Sequence, residues 1–197
     1  MTKVFAAVLL VLLACSSLET TAQATDIVYP PDVTVKYWFA VARGGISGME
    51  KGLYKKSTYV VNAQCLGNGT LNDTVQIYNM YFNNDTSKDW WGMMTRVQRI
   101  MHIQNKFCDF DDVINDLFKW CDNNDCTVEY LLQNVLKKVI QITTVATNIS
   151  TILADTTPQP AITNTAYYFT RWENIFTQAG NLMRYLTDFD AAKVVNY

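Results

Sequence analysis

The chain has 197 residues, 49% of them hydrophobic and 17% charged, with a formal net charge of −2. Such a composition excludes a disordered polymer. With no basic excess to meet a phosphate backbone, it also argues against a nucleic-acid partner.

Residues 1–24 read as a cleaved signal peptide. Lys3 supplies the positive start, Val4 to Ala14 the apolar run, and Ala22-Gln23-Ala24 a small-x-small cleavage site. The run is shorter than the roughly 20 residues that cross a bilayer. A bacterial lipobox at Leu12-Leu13-Ala14-Cys15, with lipid on Cys15, is the competing reading. Residues 25–197 then form a single helical domain of ordinary size, and the net charge stays at −2 once Lys3 and Glu19 leave with the leader. This mature part is expected to carry no transmembrane segment.

Tyr29-Pro30-Pro31-Asp32 breaks the chain, with Asp32 placed to cap the helix that follows. Over about 33–55, Val35, Phe39, Ala42, Ile46, Met49 and Leu53 recur at steps of three and four, the mark of one helical stripe. Shorter helices are predicted at 71–82, 88–106 (Trp91, Met94, Val97, Met101) and 109–120, the last with Asp109, Asp111 and Asp112 in its first turn. A long helix is predicted over 127–154, through Leu132, Val135, Val139, Ile142, Ala146, Ile149 and Leu153; the β-propensity of Thr143 to Thr147 yields to this pattern. After a Pro158- and Pro160-bearing linker, a third long helix covers 164–189, through Tyr168, Trp172, Ile175, Ala179, Leu182, Leu186 and Phe189. The fold class is therefore all-α: a bundle of three long helices with shorter ones around them.

Ala40, Gly44, Gly48 and Gly52 stand four residues apart beside the first stripe. Each helix-interior glycine costs about 0.5–1 kcal/mol relative to alanine, so three in register require an offsetting gain. Close approach of another helix supplies it, either from Ala179 and Gly180 of this chain or from a partner or lipid tail. Arg43, Glu50 and Lys51 keep this helix out of a bilayer.

Four cysteines remain after the leader, an even count that reads as two disulfides with three possible connectivities. Cys121 with Cys126 is favoured because only the turn-forming Asp122-Asn123-Asn124-Asp125 separates them, which leaves Cys65 with Cys108. A four-cysteine zinc site would need two close pairs, and only one exists. Sequons at Asn68, Asn72, Asn84 and Asn148 are N-glycosylation candidates.

Catalytic signatures are absent. His102 is the only histidine, with no local triad, and the cysteines are committed elsewhere. Neither Asp109-Phe110-Asp111-Asp112 nor Asp122-Asn123-Asn124-Asp125 has the glycine of a calcium loop. Carboxylate pairs built on Glu50 or Glu173 are conceivable, but nothing selects one. No cofactor or metal is expected. Of the five tryptophans, all but one of the Trp90-Trp91 pair are expected to pack in the core.

Phe39, the Gly44-Gly48-Gly52 spacing, Cys65, Cys108 ahead of a helix, and a late helix ending in Ala179-Gly180 together resemble a loose group of small secreted helical proteins of ciliated protists without assigned activity. The resemblance covers most of the mature chain and implies a eukaryotic, glycosylated product. It transfers no catalytic or binding residue. The group tends to repeat its glycines in the last helix, whereas here only Gly180 stands, with Arg184 following. The expectation is a secreted or surface-exposed non-enzymatic glycoprotein acting by protein contact, with self-assembly included. The alternative is a carrier of a lipid or other small amphiphile, favoured by abundant Met and aromatic residues.

Overall fold

A computed structural model describes residues 29–82, 89–155 and 157–194. The expected leader at 1–24 and the sequon residue Asn84 lie outside them. Eight helices and no strand occur among the described residues: α1 (Pro31–Tyr54), α2 (Asn68–Phe82), α3 (Trp90–Phe107), α4 (Phe110–Asn123), α5 (Val128–Lys137), α6 (Val139–Leu153), α7 (Thr165–Thr187) and α8 (Ala191–Val194).

The first helix starts at proline, which gives up no amide at the first position. Asp32 does not cap it, contrary to expectation. It lies inside the first turn, where its charge suits the dipole and pairs with Lys36 at 3.1 Å. The α1 helix ends on Lys55 in the left-handed region, φ 57°.

α1 and α7 are packed backbone against backbone. A Cβ on Gly44, Gly48 or Gly52 would stand under 3.0 Å from the carbonyl oxygen of Phe169, Glu173 or Thr177 respectively. A Cβ on Gly180 would stand 2.8 Å from the Leu53 amide nitrogen and 3.0 Å from the Met49 carbonyl oxygen. Both series advance by four residues and rise together, so the i±4 rows of the two helices interlock with the helices running parallel. Ser47 Oγ donates to Glu173 Oε1 at 2.5 Å, and Lys51 Nζ reaches the same oxygen at 2.7 Å. Those bonds strap the seam along its edge.

Parallel neighbours cannot be joined by a short turn, and residues 55–164 make the return journey. α2 packs on α1 and on α3, α4 meets the C-terminal part of α1, and α5 and α6 lie against α7. Two clusters of buried side chains flank α1. One gathers Met49, Leu53, Val113, Trp120, Phe189 and Val194, and the other Ile46, Val61, Cys65, Leu66 and Cys108. The Trp120 indole donates to the Thr187 carbonyl at 3.0 Å, so its one polar atom is satisfied in the core. Both disulfides are present with the favoured connectivity: Cys65–Cys108 binds the loop before α2 to the α3–α4 junction, and Cys121–Cys126 closes the α4–α5 turn.

The long helix expected over 127–154 is two. Lys138, at φ −118° and ψ 27°, leaves helical geometry between α5 and α6. The break follows from polar anchoring to the end of α7: Asn134 Nδ2 donates to the Leu186 carbonyl at 2.8 Å, while Lys138 Nζ reaches the Tyr185 carbonyl and the Asp188 carboxylate. Asn134 and Val145 are the buried positions here, and Leu132, Val139 and Ala146 of the expected stripe face outward. The linker after α6 is held by the Tyr168 hydroxyl, which donates to the Pro160 carbonyl at 2.7 Å.

Helix propensity predicts that glycine to alanine stabilises, whereas this seam predicts the reverse. Gly48→Ala is expected to cost about 1–3 kcal/mol or more, since backbone atoms on both sides must part. Gly69→Ala, where an added Cβ meets nothing within 4 Å, is expected to be neutral or slightly stabilising. Thermal and urea unfolding of the two variants checks the sign.

Candidate functional site

The glycine groove singled out in the sequence is occupied. Ala40, Gly44, Gly48 and Gly52 are all buried, the glycines against α7 of the same chain. It is a structural seam and offers no free surface.

Carboxylates do converge, at the junction of α1 with α4. Glu50, on the last turns of α1, is only 4% exposed, and it accepts from Lys56 Nζ at 3.5 Å. Facing it electrostatically are Asp109 and Asp112 from the start of α4. The Tyr54 hydroxyl donates to Asp116 at 2.8 Å and the Tyr59 hydroxyl to Asp109 at 3.1 Å. Burial raises the Glu50 carboxyl above its ordinary range, Lys56 opposes the rise, and the two aspartates add to it. Asp112 is raised as well, by burial first and then by Asp111, Asp109 and Asp116. Both tyrosines are pushed upward, by burial and then by the carboxylates they bond. Glu173 takes no part, being held by Ser47 and Lys51.

A protonatable acid among carboxylates has the ingredients of a general acid. Within the cluster Glu50 alone is buried, Asp112 is exposed and Asp109 and Asp116 are partly exposed, and neither of the two concavities described below is lined by any of them. No group of three or more His, Cys, Asp or Glu side chains among the described residues is arranged to hold a metal ion. His102 is exposed on α3. On α2, buried Asp73 accepts from Arg96 at 3.2 Å and from Arg99, which holds its carboxyl below the usual range and clamps α2 to α3.

The exposed apolar side chains are the features that sequence reasoning missed. Trp90 and Trp91 are 65% and 85% exposed at the start of α3, with Met94 and Met101 exposed further along. The expected packing of the tryptophans is corrected: Trp120 alone is buried, Trp172 is half-buried and Trp38 is exposed. On α5 and α6, Val128, Leu132, Leu136, Val139 and Ile140 are exposed, Leu136 and Ile140 by 78% and 77%. Beyond Ile140 the same face of α6 becomes an open trough of about 500 Å³, floored by Ile142, Thr143, Ala146, Thr147, Ser150, Thr151 and Ala154. A smaller recess of about 120 Å³ lies among Lys119, Trp120, Asn123, Asn124, Lys193 and Val194. From Val139 to Leu153 there is no charged side chain. One signal was available: apolar residues at 132, 135, 136, 139, 140 and 142 span more of the helix than a single buried stripe requires.

The sequon residues Asn68 and Asn72 are exposed one turn apart at the start of α2, and Asn148 is exposed on α6, off the trough. No helix among the described residues is long and apolar enough to cross a membrane. Comparison of the chain with family models, curated proteins and solved structures gives no match.

A carboxyl raised in the folded state keeps a proton that the unfolded chain has lost. Its contribution to stability is whole below the unfolded value, about 4.5, and is lost as pH rises through the folded value. Glu50→Gln is therefore expected to flatten the fall in stability between about pH 4.5 and neutrality and to exceed the wild type at the upper end. Urea denaturation across that range checks it, and parallel curves for the two proteins would refute the assignment.

Proposed function

We propose that the protein is an extracellular or surface-exposed glycoprotein without enzymatic activity, acting through contact with other protein chains. The observation that carries this reading is the exposure of large apolar side chains on the outer helices, Trp90, Trp91 and Met94 on α3 and Leu132, Leu136 and Ile140 across α5 and α6. Single exposed apolar residues are ordinary, but runs of them along one helical face mark interaction surfaces. Two disulfides support an oxidising compartment, where such bonds persist. The exposed Asn68, Asn72 and Asn148 fit a glycosylated product, in keeping with the resemblance to secreted proteins of ciliated protists.

Protein contact is preferred to carriage of an amphiphile because of where the apolar surface lies. A carrier encloses most of its ligand. The trough on α6 is open along its length, and the glycine seam, the other place for a lipid tail, is filled by α7.

Native mass spectrometry of the protein isolated from its source tests this reading. The expected spectrum shows the chain bound to another protein chain, itself or a different one, with glycan mass removable by an amidase. A monomer retaining a small amphiphile would overturn it.

A further inference from the structure

We infer that the outer face of α5 and α6 is a homodimer interface, on which a second copy of this chain lies with its α6 antiparallel to the first. The inference rests on the protein-contact reading above and names its surface and partner. Three observations carry it.

First, the face is apolar and uncovered. Leu132, Leu136, Val139 and Ile140 are exposed, and the opposite side of α6, through Val145, already packs in the core. On a helix turning 100° per residue, Val139, Ile140, Thr143, Thr147 and Ser150 fall within one third of the circumference, so they form one continuous surface.

Second, this surface discriminates by charge. No charged side chain occurs from Val139 to Leu153, so a charged partner face would lose its water without finding a counterion. A second copy of the same helix asks for no such compensation. Its small Thr, Ala and Ser side chains let the two axes approach closely, and exposed Leu136 and Ile140 precede the trough along the chain.

Third, the ends of the helix are complementary to one another. Exposed Lys137 precedes α6 and exposed Asp155, whose Oδ1 accepts from the Thr157 amide and hydroxyl, follows it, about 27 Å apart at helical rise and too far to pair within one copy. Antiparallel docking about a twofold axis puts Lys137 of each copy beside Asp155 of the other and sets the two helix dipoles antiparallel. A parallel arrangement would put like charges together at both ends.

Sedimentation velocity over a concentration series, on full-length protein secreted from a eukaryotic host, tests the assignment. The wild type is expected to dimerise reversibly. Leu136→Glu with Ile140→Glu, both at exposed positions, is expected to weaken the dimer about a hundredfold with helical circular dichroism and melting temperature unchanged. Lys137→Glu and Asp155→Lys are each expected to weaken it about tenfold, and the two together to restore it. Restoration by the double exchange is the result that only antiparallel pairing produces. A wild type that stays monomeric, a dimer indifferent to these substitutions, single charge reversals that the double exchange does not rescue, or fibres with cross-β diffraction would each overturn the assignment. The broader reading falls separately: a dimer abolished by Trp90→Ala with Trp91→Ala, or a native complex with a different protein chain, preserves protein contact while removing this interface.

Discussion

Everything else in the molecule is arranged around two helices whose backbones touch. Glycines at 44, 48 and 52 on α1 lie against carbonyls at 169, 173 and 177 on α7, and no side chain larger than hydrogen fits between them. Contact at this distance gains from dispersion over the whole seam, which offsets the conformational entropy that each glycine surrenders. Running parallel, the two helices also set like dipole ends side by side. Ser47 and Lys51 meet Glu173 across the seam, a charge-assisted strap that favours this register over a slip by one turn.

The parallel direction dictates the remaining topology. The chain leaves α1 at one end and must re-enter α7 at the other, so α2 to α6 form the return path. Because they do not complete a closed bundle around the seam, these helices are unequally covered. α4 and α8 share a core with α1 through Trp120, Val113 and Val194, while α3 has no buried residue and rests on α2 through the pairing of Asp73 with Arg96 and Arg99. The Cys65–Cys108 disulfide secures the same region from its other end.

Two buried carboxylates are handled in opposite ways. Asp73 has two guanidinium groups and stays ionised well below the ordinary carboxylate range. Glu50 has one ammonium, Lys56, which is itself largely exposed, and faces Asp109 and Asp112. Its burial is therefore only partly compensated, and the fold favours its protonated form. Both residues lie on helices whose apolar partners would have buried any side chain at those positions, so the difference arises from the neighbours that tertiary packing supplies.

The sequence by itself determined the helical class, the approximate extent of α1 and α7, both disulfides and the need for a close helix contact at Gly44, Gly48 and Gly52. Each of these is local or follows from counting: a period of 3.6 residues, a six-residue cysteine clip, a glycine cost that demands compensation. Tertiary structure decided that the groove is filled by the helix of Ala179 and Gly180 and not by an outside partner or lipid tail, that this helix runs parallel, and that α5 and α6 part at Lys138. It also decided that Leu132, Leu136, Trp90 and Trp91 face outward. Periodicity reports that an apolar face exists but carries no record of what lies opposite it. Whether that face is buried depends on how many neighbours the chain can bring around it, and a path already committed to returning alongside a parallel pair leaves α3 and α6 with one neighbour too few.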